Sequence, residues 1–318
     1  MSLLSYRIFL STIKSNTDWL KIYQGLNCPR PFDVSLRDGL QTANPEYYSL
    51  LKKRDIYYEI VFNDYPRAIE IGSVVSEKVF PIFNYSVQLC DDAIQDQEKN
   101  QEKNQENKSD IYLLIPNKEK LNRLLEISKC TNFSFISSVS NIFQRRNINK
   151  TLDETKENIN EMLEIIKNKK VLDSKIKLYV SCINECPLSG KVDNDFVVKE
   201  LLYYNNLAID EICLSDTCGT LDVNDFEYIT DMSKRFGIPM SKFSLHLHVK
   251  KNRQKAIERL MYSALDRKII NFDVSMINGG GCSVTMKTED MSPNLSYEIY
   301  YNTLFEYIKD KCVEVNKI

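Results

Sequence analysis

The chain contains two histidines, His246 and His248, which stand two residues apart in the apolar run FSLHLH. Side chains at positions i and i+2 of a β-strand point to the same side, so the two imidazoles would converge on one point. Imidazoles that converge in this way are common metal ligands. Two half-buried histidines that pack by chance are the alternative, and the spacing favours the metal site.

Polar and charged side chains also follow other apolar runs, at places where strands would end. Arg37 and Asp38 come directly after the run FDVSL. Glu70 and Ser73 fall in a second run, and Asp216 and Thr217 follow a sixth. Carboxylates gathered at one buried rim repel one another unless a cation lies among them. A site of Asp38 and the two histidines, with carboxylates nearby, suits Mg²⁺ or Mn²⁺ better than Zn²⁺.

The run NGGGC, from Asn278 to Cys282, holds three of the nine glycines of the chain. Consecutive glycines let a backbone move or approach a ligand closely. A cysteine on such a loop can act as an acid, a base or a nucleophile if its pKa is tuned. A flexible turn with an incidental thiol is the alternative, and the run on its own favours that alternative.

The elements that position these residues alternate between short apolar runs and longer segments with helical spacing. The eight candidate strands span residues 32–36, 68–73, 111–116, 132–137, 175–182, 209–215, 243–248 and 270–276. Strands that alternate with helices form parallel βα units, which build an open doubly wound sheet or a closed barrel. The count of eight favours an α/β fold of the (β/α)8 TIM-barrel type, in which catalytic groups lie at the carboxyl ends of the strands. No G-x-G-x-x-G follows a strand, which counts against a dinucleotide-binding sheet.

Helix signals and composition set the expected boundaries. Thr151 and Glu154 form a capping-box pattern, residues 222–236 end before Gly237, and a last helix should cover about 296–312. We expect an N-terminal extension over residues 1–30 and a barrel domain over 31–318. Residues 94–110 include the direct repeat QEKNQEKN and predict a solvated loop inserted in the barrel, without chemistry.

Composition limits the classes of partner and compartment. The chain has 318 residues, 43% of them hydrophobic, and a net charge of −2, which disfavours a nucleic-acid partner. No run is long and apolar enough for a membrane helix. Nine cysteines without regular spacing indicate a reducing compartment, and the pair Cys182 and Cys186 favours buried thiols over a zinc site. We expect a cytoplasmic location, with the mitochondrial matrix left open by a mildly amphipathic N-terminus.

Together these segments resemble the hydroxymethylglutaryl-CoA lyase family, within the wider group of metal-dependent barrel lyases and acyl-CoA condensing enzymes. The resemblance runs from about Phe32 to Glu298. Its blocks are RDGLQ (37–41), AIEIGSVVSEK (68–78), LIPN (114–117), SVSNIFQRRNIN (138–149), YVSCINECPLSGKV (179–192), DEICLSDTCGTL (210–221), HLH (246–248) and NGGGC (278–282). RDGLQ and YVSC-x3-CP-x2-GK are fairly specific to the lyase, whereas H-x-H is shared by the group.

The resemblance implies a role for each matching position. The metal ligands would be Asp38, His246, His248 and Asn294. Arg37 would stabilise an enolate oxygen, and Cys282 would transfer a proton from a mobile glycine loop. Asp216 and Glu70 would support the metal or the proton transfers. Weaker candidates for substrate contact are Ser73, Tyr179 and Thr217.

The reaction implied is retro-Claisen cleavage of 3-hydroxy-3-methylglutaryl-CoA, or a similar 3-hydroxy acyl-CoA, to acetoacetate and acetyl-CoA. A divalent metal, Mg²⁺ or Mn²⁺, is the implied cofactor, an acyl-CoA the implied partner, and a homodimer an assembly that the resemblance allows. The chain departs from the family pattern at Thr42-Ala43, at Val249-Lys250-Lys251-Asn252, and at Ser-Val-Thr after Cys282. Pro293 also precedes Asn294 where the family has glycine, and the interval from Cys282 to Asn294 is longer.

Two other functions remain open. One is a related Claisen condensing enzyme of the isopropylmalate or homocitrate synthase type, although such enzymes generally lack the cysteine on the glycine loop. The other is a degenerate barrel that binds metal or acyl-CoA without turnover, which the altered loops would allow. Retention of Arg37, Asp38, both histidines and Cys282 favours the lyase.

Overall fold

A computed structural model describes residues 6–27, 30–101, 108–282 and 284–315, so Ser283 and parts of the N-terminal extension lie outside the described residues. Eight parallel strands close into a barrel, which confirms the predicted fold. The barrel strands are β1 (Phe32–Asp33), β2 (Ala68–Ser73), β3 (Asp110–Leu114), β4 (Asn132–Ser138), β5 (Ile176–Ser181), β8 (Glu211–Asp216), β9 (Phe243–Leu247) and β10 (Asn271–Val274). Around the barrel they follow the order β1-β10-β9-β8-β5-β4-β3-β2, and β2 pairs with β1 to close the ring. A short antiparallel hairpin of β6 (Glu185–Cys186) and β7 (Gly190–Lys191) follows β5.

The helices cover the outside of the barrel. They are α1 (Tyr6–Lys14), α2 (Thr17–Leu26), α3 (Leu50–Asn63), α4 (Ser86–Gln101), α5 (Lys118–Ile127), α6 (Asn141–Ile148), α7 (Leu152–Asn168), α8 (Asn194–Asn205), α9 (Val223–Arg235), α10 (Gln254–Asp266) and α11 (Tyr297–Val315). The capping box predicted at Thr151 and Glu154 is confirmed at the start of α7. No helix among the described residues is long and apolar enough to cross a membrane.

The first strand is shorter than predicted because the chain turns at its end. Residues 35–39 form one π-helical turn, with Gly39 N donating to Val34 O at 3.0 Å. The Asp33 carboxylate starts this turn by accepting from Ser35 N at 2.9 Å and from Ser35 Oγ at 2.8 Å. Single π turns of this kind are frequent at functional sites. Here the turn carries Arg37 and Asp38, both buried, at the carboxyl end of the barrel.

The prediction of a loop over residues 94–110 is wrong for its first half, because α4 continues to Gln101. The side chains of this half are held by the neighbouring helix α3: Tyr58 OH donates to Asp96, and Gln97 Nε2 donates to Tyr57 OH at 3.3 Å. The low-complexity sequence lacks apolar side chains that could pack on the barrel, and this led to the loop prediction. Polar contacts with another helix cannot be read from the local sequence pattern. Residues 102–107 lie outside the described part of the chain.

The N-terminal helices α1 and α2 pack on the last helix, α11, through aromatic rings. Phe9 is fully buried, with its ring 5.0 Å from that of Tyr301 and 5.4 Å from that of Tyr23. Trp19 packs edge-on against Phe305 at 5.1 Å. Aromatic pairs at these distances add to the burial energy of the rings, so the extension is part of the packed structure.

We predict that Phe9→Ala lowers the free energy of unfolding by about 3–5 kcal/mol, because a buried ring is replaced by a cavity. The neighbouring residue Ile8 is 44% exposed, so Ile8→Ala is the matched control and should cost much less. Urea unfolding followed by circular dichroism measures both. Equal losses in the two variants would show that the extension is not docked as described.

Candidate metal centre and catalytic cleft

Asp38, His246 and His248 meet at the carboxyl end of the barrel. Each offers one ligand atom, and these atoms lie within 4.8 Å of one another. His246 Nε2 is 3.8 Å from Asp38 Oδ2, and the two imidazole rings lie 5.0 Å apart. All three side chains are buried. The structure therefore brings together the three residues that the sequence suggested as ligands of a divalent metal.

A hydrogen bond at the far nitrogen orients each imidazole. His246 Nδ1 is 3.2 Å from Asp273 Oδ2, and His248 Nδ1 is 2.9 Å from the carbonyl oxygen of Ser292. Partners of this kind set the tautomer of metal-binding histidines and leave Nε2 to coordinate. Burial, followed by the charge of His246, lowers the pKa of His248 to about 4, so this imidazole is neutral as a metal ligand must be.

Asn294 supplies a fourth group and a test of whether a cation fits. Its backbone pairs with that of His248. Its amide nitrogen donates to Asp38 Oδ2 at 2.9 Å and to Gly279 O at 3.0 Å. Its amide oxygen is buried and has no hydrogen-bond partner among the described residues. An unpaired buried oxygen beside two imidazoles and a carboxylate fits a cation, because such an oxygen otherwise costs free energy.

The altered segment around Pro293 still returns Asn294 to the centre. Val249 N donates to Pro293 O at 2.8 Å, and Leu295 N donates to Leu247 O at 2.9 Å, so this segment runs along the end of β9. Only the carbonyl of Pro293 is used in this pairing, and its missing N–H therefore costs nothing there. The longer interval before Asn294 is accommodated as a loop.

The glycine run is required by close packing. Gly280 has φ +136, and a Cβ there would lie 2.5 Å from Asn294 Nδ2 and 2.8 Å from Asp38 Oδ2. A Cβ on Gly279 would lie 2.4 Å from the carbonyl oxygen of Gly39. Contacts under 3 Å are essentially unknown for real side chains. These two positions therefore accept only glycine, whereas the glycine run on its own favoured a flexible turn.

Arg37 is a buried cation held from three sides. Nη1 donates to Asp38 Oδ1 at 2.6 Å, and Nε donates to Glu70 Oε2. The guanidinium lies 4.8 Å from the centre of the Tyr179 ring, whose hydroxyl donates to Glu70 Oε2 at 3.0 Å. Burial opposes the charge of Asp38, but the charges of Arg37, His246 and His248 lower the pKa of Asp38 below its usual range. Asp38 is therefore an ionised carboxylate.

Cys282 faces the same centre across a small cavity of about 60 Å³. Its Sγ lies 3.4 Å from the side-chain oxygen of Asn147, which can accept the thiol hydrogen. Burial raises the pKa of the Cys282 thiol, so it is protonated at neutral pH. A protonated thiol on the wall of a cavity can give a proton to a molecule bound there.

Asp216 does not line this cavity, whereas its neighbours Ser215 and Thr217 do. Ser215 is in register with His246, and Asp216 is in register with the apolar Leu247, so Asp216 points to the other side of the sheet. Its carboxylate accepts from the backbone N–H groups of Thr220 and Leu221, each at 3.0 Å. Burial raises the pKa of Asp216 to about 6. The side chain holds the loop after β8 instead of the metal centre.

Ser73 also lies apart, because its hydroxyl donates to Leu114 O at 3.3 Å and it borders a second cavity of about 510 Å³ with Lys120 and Arg123.

Several residues beside the candidate centre were not among those predicted from the sequence. Those on the cavity wall are Gln41, Ile136, Phe143, Asn147, Ser181 and Ser215. Asp273 was missed as well, although a lone carboxylate inside the apolar run INFDVSM was a usable signal.

Fold and centre together define a (β/α)8-barrel protein with a candidate divalent-metal site at the carboxyl end of its strands. The family model described as HMGL-like matches residues 29–257. The chain belongs to the HMGL-like family, as its sequence blocks predicted. The match ends before the NGGGC loop and Asn294, so the positions of these residues are known from the structure.

Relatives and solved structures agree with this family. A hydroxymethylglutaryl-CoA lyase of Pseudomonas mevalonii is 26% identical over 267 residues, which cover 82% of each chain. The mitochondrial hydroxymethylglutaryl-CoA lyase of Bos taurus is 26% identical over 166 residues, or 50% of this chain and 48% of the relative. A crystal structure of the Pseudomonas aeruginosa hydroxymethylglutaryl-CoA lyase has a TM-score of 0.73 at 23% identity and covers 89% of this chain and 88% of its own. The solved structure supports the fold, and the relatives confirm the predicted carbon–carbon lyase class.

We predict that His248→Ala abolishes Mn²⁺ binding while the barrel stays folded, because the variant removes one ligand from a site that is otherwise held by backbone and side-chain bonds. Isothermal titration calorimetry with Mn²⁺ and thermal unfolding of the metal-free protein measure the two effects. Asp216→Asn is the control, and it should bind Mn²⁺ as the wild type does because Asp216 faces away. Loss of Mn²⁺ binding in both variants would contradict the geometry described for β8.

Proposed function

We propose that the protein cleaves 3-hydroxy-3-methylglutaryl-CoA, or a similar 3-hydroxy acyl-CoA, to acetoacetate and acetyl-CoA. The observation that carries this proposal is the convergence of a buried guanidinium, a two-histidine and carboxylate site, and a protonated thiol on one small cavity. The reaction has three requirements: the substrate hydroxyl must lose its proton, the enolate must be stabilised, and the enolate carbon must gain a proton. A metal at the histidine and carboxylate site would meet the first requirement, the guanidinium the second, and the thiol the third.

Asp38, His246, His248 and Asn294 would hold the metal, and we infer Mg²⁺ or Mn²⁺ because two of the four ligands are oxygens. When bound, a divalent cation polarises the hydroxyl group of the substrate as a Lewis acid. Glu70 lies outside the lining of the cavity, but its Oε1 is buried and has no hydrogen-bond partner among the described residues. We propose that Oε1 accepts the hydroxyl proton through one bridging water.

Arg37 would stabilise the enolate of the departing acetyl-CoA. Its bonds to Asp38 and Glu70 involve Nε and Nη1, so the guanidinium retains donors for the thioester oxygen. Because Glu70 and Tyr179 fix the guanidinium before substrate arrives, little reorganisation is needed when charge develops on that oxygen. As the bond between C2 and C3 breaks, its electron pair moves into the thioester enolate and C3 becomes the ketone carbon of acetoacetate.

Cys282 would complete the reaction by giving its proton to the enolate carbon, which yields the methyl group of acetyl-CoA. Burial keeps the thiol protonated, and Asn147 orients its hydrogen. The cavity of about 60 Å³ is too small for the acyl group, so we expect the glycine loop to move outward when substrate enters.

The proposal that the substrate is an acyl-CoA is supported by similarity to a solved structure. The structure of a hydroxymethylglutaryl-CoA lyase from Acinetobacter baumannii contains coenzyme A and 3-methylmalate, and that protein has a TM-score of 0.71 at 21% identity. In this chain the cavity beside Ser73, with Lys120 and Arg123, offers positive charge that would suit the phosphates of coenzyme A.

The homodimer and the cytoplasmic location stay predictions. The latter is supported by the eight cysteines among the described residues, none of which is in a disulfide.

We predict that Arg37→Met and Cys282→Ala each lower the rate of acetoacetate formation by about 10²-fold or more, because each removes a group that acts in the transition state. Cys282→Ala should leave Mn²⁺ affinity unchanged. Cys312→Ala, a half-buried thiol on α11, is the matched control and should keep wild-type activity. The assay is coupled detection of acetoacetate with Mg²⁺ or Mn²⁺ present.

A wild-type protein that binds Mn²⁺ tightly but cleaves none of a panel of 3-hydroxy acyl-CoAs would overturn the proposed function. Full activity in Cys282→Ala would assign the proton donor elsewhere and leave the reaction class in place.

A further inference from the structure

Lys177 is a buried lysine inside the barrel on β5, beneath the metal centre. Its side chain is 1% exposed. Its Nζ lies 2.7 Å from Glu211 Oε1, contacts Asp273 Oδ1, and sits 3.9 Å from the centre of the Phe32 ring. A buried ion pair often stabilises a fold no better than an apolar pair of similar size. Stability alone therefore does not explain why a lysine is buried at this position, and a role at the neighbouring site would explain it.

Charges of alternating sign connect this lysine to a proposed metal ligand. Arg67 pairs with Glu211 at 2.6 Å, and Glu211 pairs with Lys177. Lys177 pairs with Asp273, whose other oxygen lies 3.2 Å from His246 Nδ1. Lys177 lies outside the lining of the catalytic cavity, and it contacts two groups beside the centre: Asp273, and the ring of Tyr179, whose centre is 5.1 Å from Nζ. Of these two groups, Asp273 is the one that contacts His246 through a hydrogen bond.

The two oxygens of Asp273 have different tasks. Oδ1 accepts from Lys177 Nζ, the charged donor, whereas Oδ2 accepts a weak hydrogen bond from Cys213 Sγ at 3.7 Å. Oδ2 then faces His246 Nδ1 and can accept a proton from it. A neutral imidazole carries one N–H, so a proton at Nδ1 leaves the lone pair at Nε2, the nitrogen that faces Asp38.

We propose that Lys177 is a positioning residue for the metal centre, which acts through Asp273 to hold His246 with its proton at Nδ1 and its lone pair at Nε2. This inference deepens the proposed function, because it rests on His246 as a metal ligand. Without the lysine, the carboxylate can turn away and the imidazole loses the contact that selects one tautomer.

The chain has only two histidines, so the test is direct. Long-range ¹H–¹⁵N correlation spectra of the metal-free, ¹⁵N-labelled protein contain two imidazole patterns, and His248→Gln assigns them. In the wild type His246 should show a protonated Nδ1 and an unprotonated Nε2. In Lys177→Met the pattern should become mixed, and Mn²⁺ affinity, measured from free Mn²⁺ by electron paramagnetic resonance, should fall about tenfold or more.

Two variants separate positioning from charge balance. Glu211→Gln removes the other carboxylate that contacts Lys177 but keeps the contact with Asp273, so His246 and Mn²⁺ affinity should stay as in the wild type. Lys177→Arg keeps a donor for Asp273 and should restore most of the affinity lost in Lys177→Met. An equal loss in Glu211→Gln would overturn the proposal, as would an unchanged spectrum and affinity in Lys177→Met.

The wild-type spectrum tests the proposal even if Lys177→Met does not fold. A proton found at Nε2 of His246 in that spectrum would overturn the proposal. None of these readouts needs turnover. If the spectra and affinities are as expected but the protein cleaves no acyl-CoA, the proposed function is wrong and the positioning role of Lys177 still holds.

Discussion

The contact between Asp38 and the two histidines depends on closure of the barrel. Asp38 follows β1, His246 lies in β9, His248 comes directly after β9, and β10 lies between β1 and β9 in the barrel. Pairing of β1 with β10 joins the first and last strands of the chain and brings groups more than 200 residues apart within the reach of one cation. In an open sheet with β1 at one edge, Asp38 would have no imidazole beside it. The proposed chemistry is therefore a consequence of ring closure.

Closure of the barrel also brings charged side chains of both signs close together in its interior. Four carboxylates, Asp38, Glu70, Glu211 and Asp273, lie together with three cations, Arg37, Arg67 and Lys177. Arg67 and Glu211 are half-buried, and the other five side chains are buried. Among these seven side chains one negative charge is left over, and buried charge without a partner is costly. A divalent cation at the centre would offset that excess. Arg37 shares its donors between two of these carboxylates, so the guanidinium is fixed by the groups that it neutralises.

The departures from the family pattern lie beside the centre. Val249 is buried and donates its N–H to Pro293 O, which holds the segment that carries Asn294. Lys250 and Lys251 border a separate cavity of about 750 Å³ with residues of the loop that follows the glycine run. The altered positions therefore change the surroundings of the mouth while the four proposed ligands keep their places. Substrate choice is the property that these changes would affect.

Periodicity and residue type alone determined several parts of this protein. Alternation of eight apolar runs with helical segments predicted the barrel, and the i, i+2 spacing predicted converging imidazoles, because both depend only on local geometry. The glycine run on its own favoured a flexible turn, and the structure is what places its backbone against Asn294 and Asp38. The resemblance to the family added Asn294 as a ligand and gave Arg37 and Cys282 their proposed roles. Local signals could not tell which face of a strand would be the interior.

Register with neighbouring strands decides that face, and a shift of one residue reverses it. Ser215 therefore faces the cavity and Asp216 faces away, contrary to the role first given to Asp216. Tertiary contacts also extended α4 through a polar stretch, and placed Asn147 beside Cys282 and Asp273 between Lys177 and His246. These are contacts between distant segments, and only the folded chain brings their partners together.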